Sequence, residues 1–324
     1  MTVRPPRQRV ARSAAIAVLA IVLAAGLAVS CGGSDASSRP SAEAGMDEFD
    51  GAAALASVER QVAFGPRIPG TRAHVAAGDW LEEQMRQYAD TVYTQEWTHV
   101  TTDSQRLPMR NIIARFKPEA SRRVLYLAHW DSRPVADKDA DPALREQGVP
   151  GANDGGSGVA ILLGVAAALD SVPPDVGVDL VLLDGEDFGE FGPDTDVLIG
   201  SRWFAEHLPD SAYRPLFGVL FDMVGDADPR FEQESHSIRG APEVVQRVWS
   251  TAQRLGYGAA FSNREYGPIT DDHLPLLEKG LRVIDVIDLY YPWHHTTGDT
   301  PDKVSEGTLD MVGEVAIALI RDLQ

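Results

Sequence analysis

Apolar runs and periodic patterns follow one another along the chain and predict alternating strands and helices. Apolar residues at helical spacing predict two helices before residue 90, and Thr71 is placed to cap the second. Residues 91–100 and 109–116 alternate between apolar and polar positions, as half-buried antiparallel strands do. Continuous apolar runs then predict four buried strands, at residues 123–130, 178–184, 216–224 and 281–289.

Helices predicted between and after these runs complete the expected fold. They fall at residues 158–169, 200–207, 242–255 and 305–323. Strands that alternate with helices favour a single α/β domain, with a central, mostly parallel mixed β-sheet and helices on both of its faces. In such sheets, ligands bind in the crevice at the carboxyl ends of the strands. Side chains that follow the predicted strands are therefore candidates for a functional site.

Acidic and histidine residues collect where the predicted strands end. They are His129, Asp131, Asp154, Glu186, Asp187, Asp222, Asp271, Asp272, His294 and His295. An acidic pair such as Glu186 and Asp187 is by itself typical of a solvated loop, but solvation does not explain such residues at five separate junctions. Carboxylates with one or two imidazoles suit Zn²⁺ in a site that leaves one position open for substrate. Of two adjacent carboxylates, one can bind the metal while the other transfers a proton.

The first 47 residues predict export and anchoring. Residues 1–30 combine four arginines with a run of small apolar residues, which is typical of a signal peptide. The sequence LAVSC resembles a bacterial lipobox, so Cys31 is predicted to carry a lipid anchor. Residues 31–47 are predicted to form a flexible tether, and residues 48–324 the catalytic domain. A transmembrane anchor is the alternative, and both predict a domain in the cell envelope, on the periplasmic or the outer face.

Net charge and cysteine content narrow the possible partners. The charge is −19 for the whole chain and −23 once the four arginines of residues 1–30 are removed. This sign argues against nucleic acids and anionic lipids as partners. Cys31 is the only cysteine, so once it carries a lipid no disulfide can form, and stability must come from core burial. We expect a monomer.

Six motifs give the chain a specific resemblance to a known family. In sequence order they are AHWDSRP, GANDGGSGVA, LLDGED, FDMVG, ITDDHLP and HTTGDT. Together they resemble the zinc-dependent aminopeptidase family M28, and most closely its bacterial glutaminyl cyclase branch. The resemblance extends from residue 53 to the C-terminus, and the fold that it implies is the one predicted above.

This resemblance implies a reaction and the residues that perform it. Asp154, Asp187 and His295 would bind one catalytic Zn²⁺, and Glu186 would be the general acid/base. The zinc would polarise the γ-amide carbonyl of an N-terminal glutamine in a peptide or protein. Glu186 would take a proton from the attacking α-amine and deliver it to the departing ammonia, which leaves a pyroglutamyl peptide.

Other residues of the implied site would bind the substrate. Asp222 and Asp271 would form a hydrogen-bond network that steers protons and holds the α-amine. Trp293 and Phe191 would line the pocket around the substrate side chain. In the cyclases a tryptophan directly precedes the zinc histidine, whereas His294 stands there in this chain. His294 is therefore an alternative metal ligand.

Two other functions are compatible with these residues. In a two-zinc aminopeptidase, His129 and Asp222 would bind a second Zn²⁺, Asp154 would bridge the two metals, and Glu186 would activate the bridging water. Every residue for that site is present in the sequence. A non-catalytic binding protein on the same fold would be expected to have lost Glu186 or a metal ligand, and none of them is lost.

The remaining histidines and acids are expected to be structural. The histidines predicted to lie at the surface are His74, His99, His207 and His236. In a one-zinc enzyme, His129 would orient a ligand instead of binding metal. Asp299 is predicted to brace the last helix.

Overall fold

The computed structural model describes residues 49–323 of the chain. Its helices are α1 (Gly51–Val62), α2 (Arg72–Tyr88), α3 (Ser157–Ser171), α4 (Ile199–Glu206), α5 (Ser235–Gly240), α6 (Pro242–Arg254), α7 (His273–Glu278) and α8 (Glu306–Arg321). Its strands are β1 (Thr91–Val100), β2 (Arg106–Phe116), β3 (Arg123–His129), β4 (Gly177–Leu183), β5 (Phe217–Asp222), β6 (Phe231–Glu234), β7 (Phe261–Tyr266) and β8 (Val283–Ile287). The signal peptide, Cys31 and the tether lie outside the described residues and stay predictions. Within residues 49–323, no helix is long and apolar enough to cross a bilayer.

Six of the described strands form one mixed sheet, in the order β1-β2-β4-β3-β5-β8. β4, β3, β5 and β8 are parallel to their neighbours, while β1 and β2 form an antiparallel edge. The predicted mostly parallel mixed sheet is thus confirmed. Parallel alignment brings the carboxyl ends of β3, β4, β5 and β8 to the same edge of the sheet, where the predicted site should lie.

Helices cover both faces of the sheet because its central strands are apolar on both sides. Strand β3 shows this alternation. Tyr126 faces the side of α3 and α8, and its hydroxyl donates to the carbonyl of Ala316 at 2.7 Å. Leu125 and Leu127 point to the opposite face and pack in a core cluster that includes Phe204 of α4. The prediction of helices on both faces is confirmed.

Helix α2 begins where the sequence predicts but buries a different face. The Thr71 hydroxyl accepts a hydrogen bond from the backbone N–H of His74, so it caps the helix as expected. Val75 lies at helical spacing from other apolar residues of α2 but is 48% exposed. The buried stripe instead runs through His74, Leu81 and Met85. A histidine thus takes a core position that the apolar pattern assigns to valine.

Four short elements were missed by the sequence prediction, namely β6, β7, α5 and α7. Strands β6 and β7 pair with each other in a separate two-stranded sheet, and α5 directly follows β6. Their sequences, FEQE, FSNREY and SHSIRG, contain no apolar run or helical period long enough to be recognised. These elements support the region next to Asp271.

Candidate active site

A cavity of about 1290 Å³ opens at the carboxyl ends of the parallel strands. Its lining includes Asp154, Glu186, Asp222, Asp271 and His295. These residues come from five segments of the chain: the loop before α3, the turn after β4, the end of β5, the loop before α7 and the loop after β8. The sheet therefore assembles residues that lie far apart in sequence.

The turn after β4 is held by Asp184, which forms a buried hydrogen-bond network. Asp184 Oδ1 lies 2.8 Å from His74 Nε2, and Oδ2 accepts from the backbone N–H of Arg110 at 2.7 Å. His74 is 3% exposed and stacks on Trp130, with ring centroids 4.3 Å apart. The prediction that His74 lies at the surface is wrong, because the histidine is needed to satisfy Asp184. Its signal in the sequence is helical spacing with Leu81, not hydrophobicity.

Asp131 fixes the two acidic residues that follow this turn. Its Oδ1 accepts from the backbone N–H of Glu186 at 3.0 Å, and its Oδ2 accepts from that of Asp187 at 3.2 Å. With the backbone so held, the two side chains point to different partners. Asp187 Oδ1 lies 3.3 Å from His295 Nε2, while Glu186 Oε2 lies 3.8 Å from His129 Nδ1. Adjacent carboxylates are thereby separated for different roles.

Asp154, Asp187 and His295 form a group with the chemistry of a metal site. His295 Nε2 lies 3.3 Å from Asp187 Oδ1 and 3.7 Å from Asp154 Oδ2. Ligand atoms about 2 Å from a tetrahedral Zn²⁺ are themselves about 3.3 Å apart, so these separations fit the ion. Within the described part of the chain, Asp154 Oδ2 and Asp187 Oδ2 are buried without a hydrogen-bond partner. Such carboxylate oxygens are costly unless a cation binds them.

The carboxylate of Asp299 holds the loop that carries Asp154. The Asp299 carboxylate accepts from the backbone N–H of Asn153 at 2.8 Å, from that of Asp154 at 3.1 Å and from the Tyr291 hydroxyl at 2.7 Å. We expected Asp299 to brace the last helix, but it holds the backbone of the predicted metal ligand Asp154 instead. Gly155, at φ +79°, permits the tight turn, since an added Cβ would lie 2.3 Å from the Asp131 carbonyl oxygen.

Arg133 is a functional residue that the sequence prediction missed. Its guanidinium donates to Asp187 Oδ1 at 2.8 Å and to Asp137 Oδ1 at 2.7 Å. Asp137 Oδ1 in turn lies 3.5 Å from His295 Nδ1. Arg133 and Asp137 thus connect Asp187 and His295, two of the three predicted metal ligands, from outside. The only signal was a cation close to Asp131 in the motif AHWDSRP.

The two adjacent histidines after β8 differ in their contacts. His295 adopts the left-handed region at φ +57° and contacts both Asp154 and Asp187. His294 lies against it, with ring centroids 3.9 Å apart, and its Nδ1 is 3.1 Å from Lys138 Nζ. Its ligand atoms also come within 4.8 Å of those of Asp154 and His295. Contact with both carboxylates favours His295 as the ligand.

The expected aromatic wall is only partly present. Phe191 lines the cavity, and its ring lies 6.3 Å from that of His295. Trp293 was expected to line it too, but it is 41% exposed and stands under Lys303 Nζ, 4.9 Å from its ring centroid. One residue separates Trp293 from His295, so the tryptophan is turned outward and His294 lines the cavity in its place.

Comparisons with known proteins identify the family. Residues 111–320 match the sequence pattern of Peptidase family M28. The chain belongs to this family. It is also similar to a solved structure, the Porphyromonas gingivalis glutaminyl cyclase, with 40% identity and a TM-score of 0.81, covering 86% of this chain and 100% of that one. That similarity supports the glutaminyl cyclase branch of M28.

Curated relatives include both activities found in the family. The chain is 27% identical to Aminopeptidase YwaD of Bacillus subtilis, over 65% of its own length and 44% of the relative's. It is 27% identical to the glutaminyl-peptide cyclotransferase of Gloydius blomhoffii, over 63% of each chain. The chain thus spans less than two thirds of the length of these relatives. Membership in M28 makes it an enzyme of that family.

A second group in this M28 enzyme surrounds His129. His129 Nε2 lies 3.1 Å from Asp222 Oδ1 and 3.2 Å from Asp154 Oδ1. Burial alone would lower the pKa of His129, but Asp222 and the hydrogen bonds of Asp131 and Asp154 raise it well above its usual value. His129 Nε2 thus lies between the carboxylates of Asp154 and Asp222.

Glu186 has the environment of a proton carrier. Its burial raises its pKa well above the ordinary range; the charge of His129 opposes this, while the negative charges of Asp271 and Asp187 add to it. Burial likewise raises the pKa of Asp271 to about 7, with a further contribution from Asp222. Groups that exchange protons near neutral pH are suited to general acid/base catalysis.

Proposed function

We propose that this M28 enzyme is a glutaminyl-peptide cyclotransferase that converts the N-terminal glutamine of peptides into pyroglutamate and releases ammonia. Its similarity to solved glutaminyl cyclases covers 85–86% of this chain and 99–100% of theirs, which supports this function. The substrates would be peptides or proteins with an N-terminal glutamine.

One observation carries this proposal. The ligand atoms of Asp154, Asp187 and His295 include buried oxygens without a partner among residues 49–323, so they form a site for one cation. At the neighbouring position, Asp154 Oδ1 and Asp222 Oδ1 are instead bonded through His129 Nε2. The chain therefore offers one unsatisfied metal site and one that its own imidazole satisfies. A single Zn²⁺ is the arrangement that the cyclase reaction needs.

The reaction follows from the roles of the surrounding side chains. Zn²⁺ held by Asp154, Asp187 and His295 would supply the Lewis acid that polarises the γ-amide carbonyl. Glu186 accepts a proton from the α-amine as the nitrogen attacks the amide carbon and the ring C–N bond forms. Glu186 then donates this proton to the departing nitrogen, the amide C–N bond breaks, and ammonia leaves.

Asp222 and Asp271 hold the α-amine for this attack. Both line the cavity together with Glu186, and Asp271 is near enough for its charge to raise the Glu186 pKa. Their carboxylates accept hydrogen bonds from the amine, which attacks as the neutral NH2 group. Phe191 and His294 line the same cavity and would enclose the substrate side chain. Exclusion of water there strengthens the electrostatic contacts.

The released product tests this function. The purified chain, supplied with Zn²⁺, is incubated with the dipeptide amides Gln-Ala and Leu-Ala, and ammonia and product masses are recorded. The proposal predicts that Gln-Ala amide loses one ammonia and that Leu-Ala amide stays intact. Release of free leucine without cyclisation would contradict it.

A two-zinc aminopeptidase is the second candidate, and one observation favours it. The ligand atoms of His129, Asp154 and Asp222 lie within 4.8 Å of one another, as in a metal site. His129 Nε2 lies 3.1 Å from Asp222 Oδ1 and 3.2 Å from Asp154 Oδ1, so a second ion would take the place of the hydrogen on Nε2 between these carboxylates. Cleavage of Leu-Ala amide that requires two equivalents of Zn²⁺ would establish this function.

We further propose that Cys31 anchors the enzyme to the cell envelope through a lipid. The support is the lipobox-like sequence LAVSC after a signal-like segment. The expected result is that the wild-type chain takes up a labelled fatty acid and sediments with membranes, whereas Cys31→Ala does neither. Sedimentation of Cys31→Ala with the membranes would favour a transmembrane anchor instead.

A further inference from the structure

Lys138 is a cation of the active-site cavity that the proposed reaction does not use. Among the described residues that line the cavity, only Arg133 and Lys138 are arginine or lysine. Arg133 is buried, and its guanidinium is bonded to the carboxylates of Asp187 and Asp137. Lys138 is exposed. Of the two cations, only Arg133 is therefore already held by carboxylates of the chain.

The backbone of Lys138 is fixed next to the predicted metal ligand His295. Its N–H donates to the carbonyl oxygen of His295 at 3.2 Å. The preceding residue, Asp137, has its Oδ1 at 3.5 Å from His295 Nδ1. The following residue, Asp139, accepts on Oδ2 from the backbone N–H of Thr297 at 3.1 Å and from the Thr297 hydroxyl at 2.7 Å. Contacts on both sides thus fix where the lysine side chain enters the cavity.

The ammonium group of Lys138 has an imidazole as its partner. Its Nζ lies 3.1 Å from Nδ1 and 3.5 Å from Nε2 of His294, and within residues 49–323 no carboxylate lies within 4.0 Å of it. Burial above all lowers the pKa of His294 to about 3, so this ring is neutral near pH 7. A neutral ring contacts the ammonium group without cancelling its charge.

With zinc bound, the charge of Lys138 has no counterpart. Burial lowers the pKa of Lys138, and the carboxylates of Asp137, Asp154 and Asp187 raise it. Asp154 and Asp187 are predicted zinc ligands, and Asp137 and Asp187 are bonded to Arg133. The two charges of the ion and the one of the guanidinium balance these carboxylates. Lys138 therefore remains able to attract a negatively charged group of a ligand.

The cavity has room for more than one residue of a peptide. Its volume of about 1290 Å³ exceeds the range of about 300–1000 Å³ that is typical of small-molecule pockets. An extended chain advances about 3.3–3.6 Å per residue, so the residue after the glutamine can reach past His294 to Lys138. The lining also includes Asp103, Glu190 and Asp196, from the β1–β2 turn and the loop before α4. These acids repel a carboxylate and leave Lys138 as the group that can bind it.

We propose that Lys138 binds a carboxylate on the residue that follows the N-terminal glutamine, either the terminal carboxylate of a dipeptide or an acidic side chain. The bond is a charge-assisted hydrogen bond from Nζ. Lys138 is thus a specificity residue and takes no part in proton transfer. The cavity prefers substrates that are acidic at this position, although the chain itself carries a net charge of −19. This inference rests on the proposed function, which supplies the N-terminal glutamine.

Matched peptides with and without the carboxylate test this preference. Gln-Ala is compared with Gln-Ala amide, and Gln-Glu amide with Gln-Gln amide, each by its kcat/KM. We expect the acidic member of at least one pair to be favoured about three- to tenfold, mainly through KM, as for an ion pair at a partly exposed site. The preference should shrink as salt is added. The pair that shows it identifies the source of the carboxylate.

Substitutions assign the preference to the ammonium group. Lys138→Met removes the charge and keeps the length of the side chain, so the ratio within each pair should fall to about one. Lys138→Arg keeps a cation and should retain the preference. Lys117→Met removes an exposed lysine outside the cavity and is the matched control, with the ratios of the wild type. Because each ratio is taken within one variant, a partial loss of folded enzyme cancels.

The outcomes separate this inference from the proposed function. If Gln-Ala amide is cyclised and neither acidic peptide is favoured, the inference is wrong and the proposed function stands. The same holds if the preference persists in Lys138→Met. If no glutamine peptide is cyclised, the proposed function fails, and the inference fails with it.

Discussion

Strand β4 and the turn after it carry two buried aspartates with opposite surroundings. Asp179, near the start of the strand, accepts hydrogen bonds from Arg115, Arg123 and Tyr213 at 2.5–2.9 Å. Asp187, in the turn after its end, accepts from Arg133 on Oδ1, while Oδ2 has no partner in the described residues. A carboxylate saturated with donors stabilises a fold. One with a buried, unsatisfied oxygen can bind a cation.

The contrast also explains why the two ends of the sheet differ in chemistry. At the Asp179 end, cations and a hydroxyl already neutralise and solvate the acid. At the Asp187 end, carboxylates outnumber the cations, and burial raises the pKa values of Glu186, Asp187 and Asp222. That excess of negative charge reduces stability until a proton or a metal binds. Function is therefore located where the polar groups of the fold are least satisfied.

Of the residues at the Asp187 end of β4, Glu186 should affect catalysis most strongly. In Glu186→Gln the proton carrier is lost while its shape is kept, so kcat for Gln-Ala amide should fall by about 10²–10⁴. Bound zinc should not change, because Glu186 is not a ligand. Steady-state kinetics and metal analysis check this. The control Glu206→Gln removes an exposed carboxylate outside the cavity and should retain wild-type kcat. An active Glu186→Gln enzyme would exclude the assigned role.

The free energy of unfolding should depend most on the Asp179 end of β4. Asp179→Leu leaves the guanidinium of Arg123 buried without its carboxylate, so the free energy of unfolding should fall by about 3–5 kcal/mol. In Asp187→Asn the amide oxygen can still accept from Arg133, so the metal-free chain should change by less than about 1 kcal/mol. Denaturant unfolding of both variants without zinc measures the difference. Equal losses would mean that the two aspartates do not differ in the way described.

The affinity for zinc should also depend on side chains that contact the ligands without binding the metal. Arg133→Met removes the guanidinium that orients Asp187 and Asp137, and a change of this kind costs about 10–100-fold in metal affinity. Competition with a chromogenic chelator measures it. Arg202→Met, which removes an exposed arginine paired with Asp194, is the matched control and should bind zinc as the wild type does. Unchanged affinity in Arg133→Met would show that the guanidinium does not position the site.

The smallest effect expected is a pH dependence of the stabilisation by zinc. The pKa values of Glu186, Asp187 and Asp222 are raised, so at these groups the metal-free folded chain binds protons more tightly than the unfolded chain. Its stability is therefore present at low pH and is lost as pH rises through the folded pKa values. Zinc needs deprotonated ligands, so the Tm gain on adding zinc should grow by at least about 2 °C from pH 5 to pH 8. Asp187→Asn should lose most of this growth, and a gain that falls with pH would contradict the account.

Much of the fold and the membership of the site could be predicted because both depend on long-range regularities. Apolar runs place β3, β4, β5 and β8 in the interior, and parallel alignment then brings their polar ends together. What escaped prediction depends on single contacts. His74 is buried where it bonds to Asp184, and Arg133 is buried where it bonds to Asp187. Neither hydrogen bond leaves a periodic pattern in the sequence. The one-residue shift of Trp293 is visible in the sequence, but the outward direction of its side chain depends on loop contacts that leave no pattern there.

Zinc stoichiometry tests the central claim most directly. The chain is stripped of metal, equilibrated with excess Zn²⁺, freed of unbound ion by gel filtration, and its zinc content is measured per polypeptide. Because the chain offers one set of unsatisfied ligand atoms and bonds the other through His129, we predict one zinc per chain, abolished in Asp187→Asn. Two zinc ions per chain, with one of them lost in His129→Ala, would contradict the account and favour the aminopeptidase.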